Sequence, residues 1–219
     1  MTLTERLYQA AAPIWQQSFA HPFITALGDG SLPLENFRFY MCQDYIFLIE
    51  YSRVLALATA KAPDLETMGR FANLLDATLN QEMALHRTFA ADCGIPADAL
   101  AATRAAPTTR AYTSHLLRVA SLGDEAEIVA AMLPCQWGYA EIGQTLAQRG
   151  KPAAGPFYAQ WIDMYASAEF AALSTWLREV LDAYDGVSDT ERLTETFCTS
   201  ARYEYLFWEM AYRMEQWAV

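Results

Sequence analysis

The chain is 219 residues long and carries 15 Lys and Arg against 26 Asp and Glu, a formal charge of −11. That surplus repels phosphate backbones and anionic lipid surfaces, so neither nucleic acid nor a membrane is an expected partner. Hydrophobic residues make up 53% of the chain, which supplies a substantial core and excludes disorder.

Apolar residues recur at helical spacing, and nothing of useful length alternates at the period of two that a half-buried strand needs. Helices are predicted at 4–18, 34–60, 64–93, 108–121, 124–149, 157–167, 169–184 and 188–217. The N-terminus, "MTLTERLYQAAAPIWQQ", has acidic and polar residues where a secretory signal needs a basic end and an apolar run. "GDGSLP" precedes the second, whose "MCQDYIFLIEYSRVLALATA" is apolar on most of its circumference and reads as a central helix. "KAPD" and "CGIPAD" bracket the third, and "SLGD" precedes the fifth. "RGKPAAGP" follows the fifth and "YDGVSD" precedes the last. Asp64, Asp124 and Ser188 are the expected N-caps, each able to accept from an orphan first-turn amide. No linker is rich enough in Gly, Ser or Pro to divide the chain, so the expectation is one all-α domain, a helical bundle over residues 1–219. No stretch reaches the ~18 to 20 apolar residues of a membrane span. Cys42, Cys93, Cys135 and Cys198 show no metal-binding spacing and read as free thiols, which with the N-terminus points to the cytoplasm.

Inside the fifth helix, "MLPCQWGYAEIG" sets a proline directly before a thiol. Pro134 lacks an N–H and its ring collides with the Ala130 carbonyl, which predicts a bend that either aims Cys135 into a cleft or serves packing alone. Tyr139 lies one turn on, on the face of Cys135, and Gly138 leaves space beside it. Asp44, among Met41, Cys42, Tyr45, Ile46 and Phe47, must pair, bind something or sit at a rim, because burying it alone costs several kcal/mol. Glu204, in "ARYEYLFWEMAYR", poses the same problem; it is either a general acid whose proton burial retains, or a partner of Arg202 or Arg213. Rings beside a thiol and a carboxylate suit a flat nitrogen heterocycle, although core packing accounts for the rings alone equally well.

"EMALH" puts Glu82 and His86 four apart, a spacing that could contribute to a metal site, but the second Glu-x-x-His of a di-iron bundle is missing and no metal is expected. His21 and His115 read as structural. Neither a phosphate loop nor a nucleophile elbow is present.

Five strings in register, "GDGSLPLENFRFYMCQDY" (28–45), "EMALHR" (82–87), "AYTSHLLR" (111–118), "LPCQWGYAEIG" (133–143) and "YEYLFWEMAYRMEQW" (203–217), resemble the TenA family, the thiaminase II or aminopyrimidine aminohydrolase proteins. The match runs from about Leu7 to Trp217. The resemblance implies a heme-oxygenase-like helical fold, a homotetramer and no catalytic metal or organic cofactor. It implies hydrolysis of a C–N bond at the 5-methylene of 4-amino-5-aminomethyl-2-methylpyrimidine or of thiamin, in salvage of the thiamin pyrimidine. It also implies Cys135 as nucleophile, Glu204 as acid and Asp44 as the carboxylate that holds the aminopyrimidine. Tyr139 and Tyr165 match substrate-contacting tyrosines, and Tyr112 a tyrosine near the thiol. Phe47 stands where some members have tyrosine, which removes a hydroxyl but keeps a ring for stacking. Two other readings stay open: a non-catalytic interaction protein, and a metal-dependent oxygenase on the same scaffold.

Overall fold

The computed structural model describes residues 1–150, 152 and 156–219, and the "RGKPAAGP" stop signal falls partly outside them. Among the described residues the regular elements are all helical: α1 Leu3–Phe19, α2 Pro22–Asp29, α3 Leu34–Lys61, α4 Leu65–Ala77, a π-turn Thr78–Glu82, α5 Met83–Asp92 and α6 Ala97–Ala101. Then follow α7 Pro107–Leu122, α8 Glu125–Arg149, α9 Pro156–Tyr165, α10 Ala168–Asp182 and α11 Thr190–Arg213. Two compact units result, one of residues 1–32 and 129–209, the other of residues 33–128 and 210–219.

In the first unit, α1 opens with a capping box in which the Thr2 hydroxyl accepts from the Glu5 amide at 3.3 Å and the Glu5 carboxylate accepts from the Thr2 amide at 2.8 Å. Its buried stripe, Leu3, Leu7, Ala11 and Trp15, has the spacing of one helical face. The Thr4 amide and hydroxyl both donate to Asp182, at 2.7 and 3.0 Å, tying α1 to the end of α10. His21 caps α2: its Nδ1 accepts from the Phe23 amide at 3.1 Å, so the proton sits on Nε2, which lies 3.1 Å from Glu209. That is the structural role expected of this histidine.

In the second unit, Gln43 of α3 accepts from the Ala106 amide (2.9 Å) and the Thr109 hydroxyl (2.8 Å) and donates to the Arg104 carbonyl (3.1 Å). One buried side chain thereby satisfies the start of α7. The Lys61 ammonium donates to the carbonyls of Ser121 and Gly123, where cations are favoured at a helix C-terminus. Asn36 does the same for α11 through Ala211 and Tyr212, at 3.2 and 2.6 Å.

Asp64 and Asp124 cap as expected, accepting from the amides of Thr67 and Glu127 at 2.8 and 3.0 Å. The third cap is corrected: Asp189, not Ser188, accepts from the Glu191 and Arg192 amides, because α11 starts at Thr190. α11 also stops at Arg213 rather than continuing to 217, since Met214 turns left-handed at φ 48°. The Glu215 amide then bonds back to the Met210 carbonyl at 3.0 Å and the Met214 amide to the Ala211 carbonyl at 3.4 Å, which is a Schellman stop. Two short helices, α2 and α6, were not among the predicted elements. The predicted 64–93 helix is interrupted by the π-turn. Pro134 lies inside α8, which remains helical on both sides of it.

Candidate functional site

Two side-chain clusters carry the candidate chemistry, one in each unit. In the first, α8 presents Cys135 and Tyr139 one turn apart, and both are buried, with Cys135 9% and Tyr139 5% exposed. The Tyr139 ring lies 4.6 Å from that of Tyr165 and 5.0 Å from that of Trp208, and Trp161 packs 4.6 Å from Tyr165. Glycines make this approach possible. A Cβ on Gly143 would sit 2.5 Å from the Tyr165 carbonyl carbon, and one on Gly138 would sit 2.7 Å from the Trp15 ring.

Glu204, 6% exposed, faces a small cavity of about 10 Å³ that Pro134, Tyr139, Trp15 and Trp208 also line. The acid and the tyrosine of the thiol's face therefore share one wall. Glu204 and Trp208 are four apart on α11, so the helix that delivers the acid also delivers an aromatic wall. Of the predicted residues, Tyr139, Tyr165 and Glu204 are thus brought together on this side. Trp208 lines the same cavity, and Trp161 packs on the rings of Tyr139 and Tyr165. Trp161 was legible only as the helical neighbour of Tyr165 in "QWIDMY".

In the second cluster α3 lines up Asp44, Phe47 and Tyr51 on successive turns of its buried face. Phe47 packs 5.1 Å from Tyr112 of α7 and 5.5 Å from Tyr51. Asp44 is 5% exposed, and its Oδ2 lies 3.5 Å from Nδ1 of His86 on α5. The His86 Nε2 is 2.7 Å from the Met41 carbonyl. Burial pushes this histidine down to about 4, so its ring is neutral at pH 7. The sequence offered His86 as a neighbour of Glu82; its contact with Asp44 was missed.

Glu82 closes the π-turn, and burial pushes its carboxyl up to about 7, with the Thr78 hydroxyl opposing the shift. Among the described residues no group of three or more His, Cys, Asp or Glu is arranged to hold a metal ion. None of the four cysteines is in a disulfide. No helix among the described residues is long and apolar enough to cross a membrane.

A profile of the TENA/THI-4/PQQC family matches residues 8–214, nearly the whole chain and both of its units. The chain belongs to that family. It is 47% identical to an aminopyrimidine aminohydrolase of Halalkalibacterium halodurans, over 99% of this chain and 98% of that one. Another, from Bacillus subtilis, is 38% identical over 100% of this chain and 93% of its own length. Among solved structures, the TenA homologue of P. horikoshii superposes with a TM-score of 0.92 at 32% identity, covering 97% of this chain and 99% of that chain. A Shewanella denitrificans domain with a heme-oxygenase-like fold matches with a TM-score of 0.70 at 14% identity, covering 96% and 90% of the two chains, which bears on fold alone.

Proposed function

We propose that this TenA family member is an aminopyrimidine aminohydrolase of the thiaminase II type. It would hydrolyse the C–N bond at the 5-methylene of 4-amino-5-aminomethyl-2-methylpyrimidine, with thiamin as an alternative substrate, in salvage of the thiamin pyrimidine. Water is consumed; the hydroxymethylpyrimidine leaves with ammonia or with the thiazole. The observation that carries the reading is the wall shared by Glu204 and Tyr139, one helical turn from the buried thiol of Cys135. Support comes also from relatives of that name at 47% and 38% identity over essentially the full chain.

In the proposed reaction the Cys135 sulfur forms a bond to carbon 6 of the pyrimidine and breaks its aromaticity. Electrons returning through the ring then expel the amine or thiazolium from the methylene. Only a thiolate is a competent nucleophile, and an ordinary thiol titrates near ~8.5, so the proton must be taken by the tyrosine network or by the bound substrate. Glu204 supplies a proton to the ring or to the leaving amine. Water adds at the exocyclic carbon, and the C–S bond breaks to restore the ring. By the family resemblance Asp44 would accept from the 4-amino group and fix the register, and Phe47, Tyr112, Tyr139 and Tyr165 are the further candidate substrate contacts. A homotetramer in the cytoplasm is the assembly and location that go with this reading.

The test is direct. Purified protein given the aminopyrimidine should release ammonia, and given thiamin should release the thiazole. Cys135→Ser should abolish both while still binding the pyrimidine, and Glu204→Gln should depress kcat more than it raises KM. Inert wild-type protein would favour an interaction role. Turnover retained by Cys135→Ser would remove the covalent step.

A further inference from the structure

We propose that His86 is a positioning residue for Asp44: one proton lies between Asp44 Oδ2 and His86 Nδ1, so that the carboxyl is held in one orientation and meets the ligand as an acceptor of an N–H. The inference rests on the role given to Asp44 above and adds the device that fixes it.

Along α4 and into the start of the π-turn the buried positions are Phe71 and Thr78, two turns apart. A regular helix continuing from Thr78 would bring residues near 82, 85 and 89 inward, and the sequence provides Leu85 for that place. The π-turn at Thr78–Glu82 inserts one residue, and the buried set becomes Met83, His86 and Ala90, with Leu85 turned out at 49% exposure. The chain exposes a leucine and buries a histidine, an exchange that hydrophobicity alone opposes. π-turns of this kind concentrate at functional sites.

Tautomer logic gives the buried ring its purpose. A carbonyl oxygen has no proton to give, so at 2.7 Å from Met41 O the His86 Nε2 must be the donor. In a neutral imidazole the other nitrogen is then a bare lone pair. That lone pair lies 3.5 Å from a carboxyl oxygen of a side chain almost as buried as itself. Two facing lone pairs repel, whereas one proton between them converts the contact into a hydrogen bond. Burial disfavours the doubly protonated ring, so a single shared proton serves both groups. Tyr45 has its ring centroid 6.2 Å from that of His86, and the Arg87 guanidinium sits 6.0 Å over Tyr45. With its Oδ2 engaged, Asp44 selects a ligand edge that presents an amino group and disfavours one that presents a carbonyl in the same place.

Calorimetry with 4-amino-5-hydroxymethyl-2-methylpyrimidine and its analogue lacking the 4-amino group tests this on the full-length protein. His86→Phe should weaken binding of the amino compound about 10-fold and leave the deaminated one within about two-fold, erasing the preference. The double variant with Asp44→Asn should bind no more weakly than Asp44→Asn alone. Equal weakening of both ligands, or unchanged selectivity, would overturn the proposal. Nitrogen-15 NMR of the unsubstituted protein reads the ring without relying on the variant. Nε2 should be protonated and the Nδ1 signal should be that of a hydrogen-bonded nitrogen; a ring protonated on Nδ1 with bare Nε2 overturns the pair. Wild-type protein that binds neither ligand would instead sink the aminopyrimidine reading, and the NMR result would still decide the pair.

Discussion

Replacing Glu82 by Gln should stabilise the protein above neutrality and leave it unchanged in acid. Burial at the end of the π-turn raises this carboxyl from its ordinary 4.5 to about 7. The folded state therefore holds its proton longer than the unfolded chain does, and stability is complete below 4.5 and falls as pH rises through 7. At about 1.4 kcal/mol per unit, the gap corresponds to roughly 3 kcal/mol. Glu82 is partly exposed, so solvent screening reduces this to about 2 kcal/mol. Glutamine keeps an oxygen to accept from Thr78 and has no charge to desolvate. Urea unfolding at pH 8 should accordingly show the variant about 2 kcal/mol more stable, and at pH 4.5 the two curves should coincide. His86 works with the opposite sign, since its pKa is lowered from 6.5 to about 4 and its penalty grows as pH falls through that interval. Both proteins carry that term, so the difference between them isolates Glu82. A stability difference of the same size at both pH values would refute the reasoning.

Glycine-to-alanine changes at two helical positions should have opposite signs. At Gly69 in α4 nothing lies within 4 Å of an added methyl, and helix propensity predicts a gain of about 0.5 to 1 kcal/mol in thermal or urea unfolding. At Gly143 the methyl would meet the Tyr165 backbone at 2.5 Å, which side-chain rotation cannot relieve, so a net loss of about 2 kcal/mol should appear together with weaker pyrimidine binding as α9 is displaced. Met214→Gly should stabilise by about 0.5 to 1 kcal/mol, because the left-handed φ of 48° strains a side-chain-bearing residue and glycine occupies it freely.

What could be read from the sequence follows from which interactions are local. The long helices announce themselves because each carries a continuous apolar stripe and a stop signal that acts within a few residues, as "SLGD" and the Asp124 cap do for α8. Asp44 and Glu204 stood out for a related reason: a carboxylate among aromatic neighbours on its own helix must be compensated from elsewhere. The compensation itself was not legible. Nothing in "NLLDATLNQEMALH" reports a π-turn, since the pattern fits an uninterrupted α-helix with Leu85 inward, and the groups that meet His86 once the phase has shifted, the Met41 carbonyl and Asp44, belong to α3. The identity of Asp44's partner therefore depended on a phase that only tertiary structure sets. The same holds for Gly143, whose isolated helix position reads as a mild propensity defect. Its meaning appears only once α9 is seen to pack onto the missing side chain, and there the absence of a methyl is what lets Tyr165 reach Tyr139. Residues that fold the chain were thus visible along one helix at a time, whereas those that give the candidate site its geometry were visible only across two.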